Sequence, residues 1–194
     1  MLIFWDEALV FLATPKAGST AVEVALEPLA SASLLRPAAL KHTGIASYRR
    51  HVGPWLSEQT GRSFTTVALM REPVEWLRSW YRFKLRDDHD DPTHALEGMT
   101  FETFADTYAG TGGADRLGIG SQAAFLDDGE ARVDQIFRYE DMDRFVEFLE
   151  ARLGCAIELP RINVPPSVDV NLGAEAEHRL RTALARDISL YNGL

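Results

Sequence analysis

Phe11-Leu12-Ala13-Thr14-Pro15-Lys16-Ala17-Gly18-Ser19-Thr20 is a short apolar run that passes into a small, hydroxyl-rich turn carrying one lysine, and then into helical sequence. A strand that delivers such a turn to a helix start builds an anion site. The first backbone N–H groups of the helix point outward unpaired, and the helix dipole adds partial positive charge. Lys16 contributes a full charge, and Ser19 and Thr20 contribute two hydroxyl donors. The expected occupant is a phosphate or sulfate group; the plainer alternative is a strand ending in Pro-Lys beside a helix capped by Ser or Thr. The turn is not a Walker A loop, where lysine follows the second glycine. Here Lys16 precedes Gly18, and Pro15 stands where a further glycine would widen the loop. A turn this tight suits one terminal phosphate or phosphosulfate better than a wrapped triphosphate.

A second segment points the same way. Thr65-Thr66-Val67-Ala68-Leu69-Met70 reads as a buried parallel strand, after which Arg71-Glu72-Pro73 opens a helix carrying Trp76, Leu77, Trp80, Tyr81 and Phe83 at helical spacing. Pro73 suits the first helical position. Arg71 then stands at the carboxyl end of a strand, the usual place for ligand groups in open α/β sheets. Ser79 follows about two helical turns later and can present a hydroxyl toward the same edge. The alternatives are an Arg71 that caps a neighbouring carbonyl and a Ser79 that only packs.

Taken together, the two segments resemble the sulfotransferases that use 3′-phosphoadenylyl sulfate (PAPS), in particular the carbohydrate-type and bacterial branch. That family's 5′-phosphosulfate loop reads like Pro-Lys-x-Gly-Ser-Thr, which Pro15, Lys16, Ala17, Gly18, Ser19 and Thr20 reproduce. Its 3′-phosphate motif reads like Arg-x-Pro with Ser-x-Tyr on the next helix, matched by Arg71, Pro73, Ser79 and Tyr81. Gly120-Ser121-Gln122-Ala123-Ala124-Phe125-Leu126 and Phe137-Arg138-Tyr139-Glu140-Asp141-Met142 look like its glutamine-bearing helix and its late strand ending in a Tyr-Glu-Asp turn. Asn163 matches a late asparagine. The resemblance spans residues 8 to 166 and implies a P-loop-NTPase-like sulfotransferase fold. It implies transfer of a sulfuryl group from PAPS to a hydroxyl or amine acceptor, with release of PAP and no metal requirement. It assigns Lys16, Ser19 and Thr20 to the phosphosulfate and Arg71 with Ser79 to the 3′-phosphate.

The chain also departs from the pattern. Many relatives carry an Asp-Arg pair between the proline and the serine of the second motif, where this chain has Glu75-Trp76-Leu77-Arg78. Arg78 is either a late replacement or a solvated residue. Some carbohydrate sulfotransferases place a catalytic glutamate five residues after the loop threonine; here that residue is Ala25. A hydroxyl acceptor needs a general base. His42, in Lys41-His42-Thr43, is the first candidate, since the family often has a catalytic histidine after the first helix, and Glu23 and Glu27 are the others. His51, His89, His94 and His178 read as surface residues. Gln122 contacts acceptor or cofactor by resemblance, or is a solvated helix residue. Two other classes stay open: a nucleotide-dependent small-molecule kinase, and a PAP-binding protein without catalysis.

With 194 residues and 46% hydrophobic content, the chain can bury one good core and is most simply a single domain over residues 1–194. The expected class is α/β, a three-layer sandwich around a central, mainly parallel sheet. A net charge of −9 argues against nucleic acid and requires that cationic groups be gathered locally. Arg71, Arg78, Arg82, Lys84 and Arg86 are the richest basic run, of which at least two of the last three read as a solvated face. Cys155 alone excludes an internal disulfide and reads as buried packing beside Leu153 and Ile157. Met1 to Trp5 reads as a strand, with no signal or membrane span, so the expectation is a cytoplasmic, bacterial-type enzyme acting on a small-molecule, sugar or lipid acceptor. Coarse elements are helices over 21–29, 101–108, 145–153 and 175–191, and a strand over 133–139. A further helix over 45–56 reads as broken at Gly53-Pro54, and 110–113 as a flexible glycine segment. The loops at 85–100, with its charged 87–92 run, and at 108–120 are candidates for acceptor specificity.

Overall fold

The computed structural model describes residues 1–85, 96, 98–162 and 168–194. Arg86, the 87–92 loop, His89, His94, Asn163, Pro165 and Pro166 lie outside the described residues. The chain is α/β and forms two compact units, one from residues 1–71 and 122–162 with Leu194, the other from residues 72–121 and 163–193.

The first unit is built on a five-stranded sheet. Its strands are β1 (Leu2–Phe4), β2 (Leu9–Leu12), β3 (Ala32–Ser33), β4 (Thr65–Met70) and β5 (Gln135–Arg138), in the order β3-β1-β2-β4-β5. β4 lies parallel to β2 and to β5, whereas β1 is antiparallel to both β2 and β3. The sheet is therefore mixed: β2, β3, β4 and β5 run the same way, and β1 alone runs against them. The reason is chain length: only four residues join β1 to β2, while a parallel connection needs a dozen or more. β4 occupies 65–70 as its apolar run predicts.

One face of this sheet, with Leu2, Phe4, Leu9, Phe11, Val67 and Leu69, packs against Val22 and Leu26 of α1 (Ser19–Leu26) and Phe145 and Leu149 of α9 (Met142–Leu153). Each fully buried Leu or Phe there is worth roughly 1.5–3 kcal/mol of transfer free energy. The residues alternating with them, Val10, Leu12, Ala68 and Met70, are buried too, so the sheet is covered on both faces. The 45–60 segment runs as α3 (Ile45–Ser47), a π turn (Tyr48–Val52) and α4 (Gly53–Thr60). The expected break at Gly53-Pro54 does not occur, because the wide turn hands the ladder over with Pro54 in the first turn of α4, where a missing N–H costs nothing. The remaining helices of this unit are α2 (Ala38–Lys41) and α8 (Gln122–Leu126).

The second unit is helical: α5 (Pro73–Lys84), α6 (Phe101–Ala109), α7 (Gly113–Leu117), α10 (Ala174–Ala183) and α11 (Ala185–Asn192). Glu72 caps α5 by accepting from the Glu75 N–H, with Pro73 as the first helical residue. Thr100 caps α6 in the same way through Thr103. Phe101, Phe104, Ala105 and Tyr108 face the core at the predicted spacing, packed with Trp76, Leu77, Tyr81, Leu180 and Leu184. Where one terminal helix was expected over 175–191, the helix is interrupted at the fully buried Leu184. Lys84 is buried and Arg82 partly so, which corrects the expectation of a solvated basic face. Cys155, in the first unit, is half-buried rather than buried.

Gly113, at the end of the 110–113 glycine segment, is the first residue of α7 and is closely packed. A Cβ added there would overlap the Thr107 carbonyl oxygen and lie 2.5 Å from that of Tyr108, both rigid helix backbone. Gly113→Ala should therefore cost about 3 kcal/mol of stability, measured by urea unfolding, whereas the open Gly112 neighbourhood has no such contact.

Candidate functional site

The parallel strands β2, β4 and β5 end side by side, and their carboxyl ends carry the residues both sequence motifs single out. From β2 the chain leaves as Ala13 and Thr14, turns through Pro15, Lys16 and Ala17, and enters α1 at Gly18. Thr14 donates its N–H back to Leu12 at 3.0 Å. The turn is reached only by placing two residues in the left-handed region, Lys16 at φ 62° and Gly18 at φ 79°. Glycine tolerates this; a lysine there costs roughly 1 kcal/mol. Such local strain is typical of ligand-holding loops.

Gly18 is constrained twice. Besides its positive φ, a Cβ on it would lie 2.7 Å from Cε2 and 2.9 Å from Cδ2 of Tyr139. The loop therefore rests directly on the Tyr139 ring. On the same ring lies the Arg71 guanidinium, 4.9 Å from the centroid. Gly18 of the first motif and Arg71 of the second meet through one aromatic residue, the first residue after β5. Tyr139 donates its own N–H to the Met70 carbonyl at 2.8 Å, which fixes its backbone to the end of β4.

The start of α1 has no side-chain cap and no acidic residue in its first turn, in contrast to α5 and α6, which are capped by Glu72 and Thr100. Ser19 is buried at that start, with Thr20 beside it. Thr14 is 1% exposed, and its Oγ1 has no hydrogen-bond partner among the described residues. A buried hydroxyl without a partner costs about 1–3 kcal/mol, so this one is fit to meet a polar ligand atom. Arg138 closes β5 opposite Met70 and joins Lys16 and Arg71 at the same edge. The sequence signal for it was its place at a predicted strand end, where Arg71 also stands.

His42 lies at the foot of the loop. Its Nδ1 donates to the Ala13 carbonyl at 2.7 Å, which places the proton on Nδ1 and leaves the Nε2 lone pair available. Burial, the dominant cause, pushes its pKa below the ordinary value, and the charge of Lys41 acts in the same direction. The Ala13 bond and Glu23 oppose these effects without reversing them.

The rival bases are placed differently. Glu23, 5% exposed, binds Lys41 Nζ at 2.6 Å, so it anchors the residue preceding His42. Glu27 is exposed just past the far end of α1, about 12 Å along the helix from its start at 1.5 Å per residue. Ser79 belongs to the helical unit and is half-buried on α5. Arg78 is neither solvated nor available, since it bonds Glu75 at 2.6 Å and the Val170 carbonyl at 3.2 Å. Gln122 is not solvated either: it is 1% exposed and bonded to the Arg71 backbone. Asp141 stands at the N-cap of α9, but its side chain makes no cap bond. A groove of about 480 Å³ in the helical unit is lined by Asp106, His178 and Arg179, but its guanidinium is held by Asp106 at 3.0 and 3.1 Å.

No helix among the described residues is long and apolar enough to cross a membrane. No family model matches the chain, and no curated protein or solved structure matches it.

The lowered pKa of His42 has a definite consequence for stability. As pH falls below 6.5 the unfolded chain takes up the histidine proton before the folded one does, so this contribution is complete above pH 6.5 and is lost toward the lower folded value. Urea midpoints between about pH 7.5 and about pH 5 should fall less steeply in His42→Gln than in the parent.

Proposed function

We propose that the chain is a PAPS-dependent sulfotransferase with the P-loop-like architecture its motifs imply. The observation that carries this reading is the layer of Gly18, Tyr139 and Arg71, which joins the two motif loops at one strand edge. The donor nucleotide would supply an activated sulfuryl group and a phosphate leaving group. The residues present fit it: an uncapped helix start, a loop whose glycine admits no side chain, the partnerless Thr14 hydroxyl, and Lys16 and Arg71 as cations in an otherwise acidic chain. Pro15 to Thr20 hold the phosphosulfate end, and Arg71 holds the 3′-phosphate.

Sulfuryl transfer, like phosphoryl transfer, sets nucleophile and leaving group in line about a small, highly charged centre, so positioning and charge stabilisation dominate. Lys16 neutralises charge that grows on the leaving phosphate oxygen. His42 accepts the acceptor's hydroxyl proton on Nε2, because Nδ1 is committed to Ala13 and burial keeps the ring neutral near pH 7. Glu23, paired with Lys41, is a support for that base rather than the base itself.

PAP should stabilise the fold without magnesium by about 2–3 kcal/mol at a hundredfold excess over its Kd, and AMP at the same concentration by much less. Equal thermal shifts with the two nucleotides would overturn the 3′-phosphate assignment, and a strict magnesium requirement with ATP would favour the kinase reading. Lys16→Met should lower kcat about 100-fold or more while changing PAP affinity far less, because the charge it meets develops in the transition state. PAP binding with no turnover across hydroxyl and amine acceptors would point instead to the non-catalytic reading.

A further inference from the structure

Arg71 stands one residue beyond β4, where its backbone has lost its strand neighbours. In a strand, successive residues direct their N–H and C=O groups to opposite sides. Met70 gives its carbonyl to Tyr139 on the β5 side, so the Arg71 N–H and C=O point to the β2 side. There β2 has already ended, with Leu12 as its last residue, paired with Ala68. Two part-buried backbone groups would lose their strand partners at the point from which the arginine side chain is launched.

Gln122 fills that gap. Its Oε1 accepts from the Arg71 N–H at 2.9 Å, and its Nε2 donates to the Arg71 carbonyl at 2.9 Å. The carboxamide thus does what one residue of an adjoining strand would do, from a side chain 1% exposed. Arg71 is the last residue of the first unit before the chain departs into the helical unit, and Gln122 is the first after its return. The bidentate bond therefore ties the exit and re-entry points of the 72–121 segment together.

We propose that Gln122 is a positioning residue for anion recognition. By pinning the Arg71 backbone it holds the guanidinium over Tyr139, beside the loop at Gly18, and so sets the preference for a nucleotide that bears a 3′-phosphate. This rests on the reading of Arg71 as the group that meets that phosphate. Gln122 itself touches neither the nucleotide nor the acceptor.

The test is a double-mutant cycle read as the ratio of PAP to AMP affinity, with folding checked by circular dichroism. Gln122→Met keeps the volume and removes both bonds; it should reduce PAP affinity about tenfold and leave AMP affinity nearly unchanged. Gln122→Glu keeps an acceptor for the Arg71 N–H but loses the donor, and should fall between the parent and Gln122→Met. It also serves if the methionine variant fails to fold. In an Arg71→Ala background, Gln122→Met should have no further effect on the ratio, since its influence passes through the arginine. A ratio unchanged by either glutamine variant while Arg71→Ala lowers it would overturn the role of Gln122 alone. A ratio unchanged by Arg71→Ala would overturn the 3′-phosphate reading beneath it. Additive losses would show that Gln122 acts independently of Arg71 and would equally overturn the proposal.

Discussion

Parallel strands that stop together must satisfy their last backbone groups, and the carboxyl edge shared by β2, β4 and β5 is organised by that requirement. His42 takes the Ala13 carbonyl where β2 ends. Gln122 takes the Arg71 N–H and carbonyl where β4 ends. Tyr139, leaving β5, uses its N–H on Met70 and its ring as the surface against which Gly18 and Arg71 lie. Each strand end is thus finished by a residue that also fixes a chemically useful group. Removing one of these contacts would leave a buried polar group without a partner as well as displacing the group it holds.

The electrostatics follow from the same edge. In a chain with net charge −9, several cations are neutralised locally: Arg49 by Asp128 and Glu130, Arg78 by Glu75, and Arg179 by Asp106 and Glu175. Lys16 and Arg71 follow the parallel strands β2 and β4 and Arg138 closes β5, and the helix start that follows Lys16 has no carboxylate in its first turn. The proposed anion site combines these charges with the dipole of α1, and its tight loop limits what can enter. His42, whose pKa burial lowers, adds no further cation there near neutral pH.

Elsewhere, carboxylates such as Glu23 and Asp134 are structural. Glu23 is tied to Lys41 on the segment that carries His42. Asp134 accepts from both the N–H and the hydroxyl of Thr66 at 2.7 Å and so fixes the start of β5 against β4. Its charge, after burial, helps push the Tyr48 hydroxyl up to about 12, which keeps that residue a neutral packing group.

Local pattern was enough to read several elements. The apolar run at 65–70 is β4, Pro73 opens α5, and the 3.6-residue spacing of Phe101, Phe104, Ala105 and Tyr108 marks the buried face of α6. The loop at 13–18 was legible because glycine, proline, lysine and hydroxyl residues constrain the backbone by themselves. Strand orientation was not, since it depends on which strands pair; the short 5–8 connection was the one local clue to the antiparallel β1–β2 pair. The roles of Gln122, Tyr139 and Glu23 were equally hidden. A buried glutamine 51 residues from its partner, a ring that a glycine leans on, and a carboxylate that anchors a lysine are identical in sequence to solvated or reactive residues. The sequence by itself determined the backbone conformations that near neighbours enforce, and the residue types gathered at the loop. Only the tertiary structure decided which side chains finish the strand ends, because those bonds join residues whose proximity arises from packing, not from spacing along the chain.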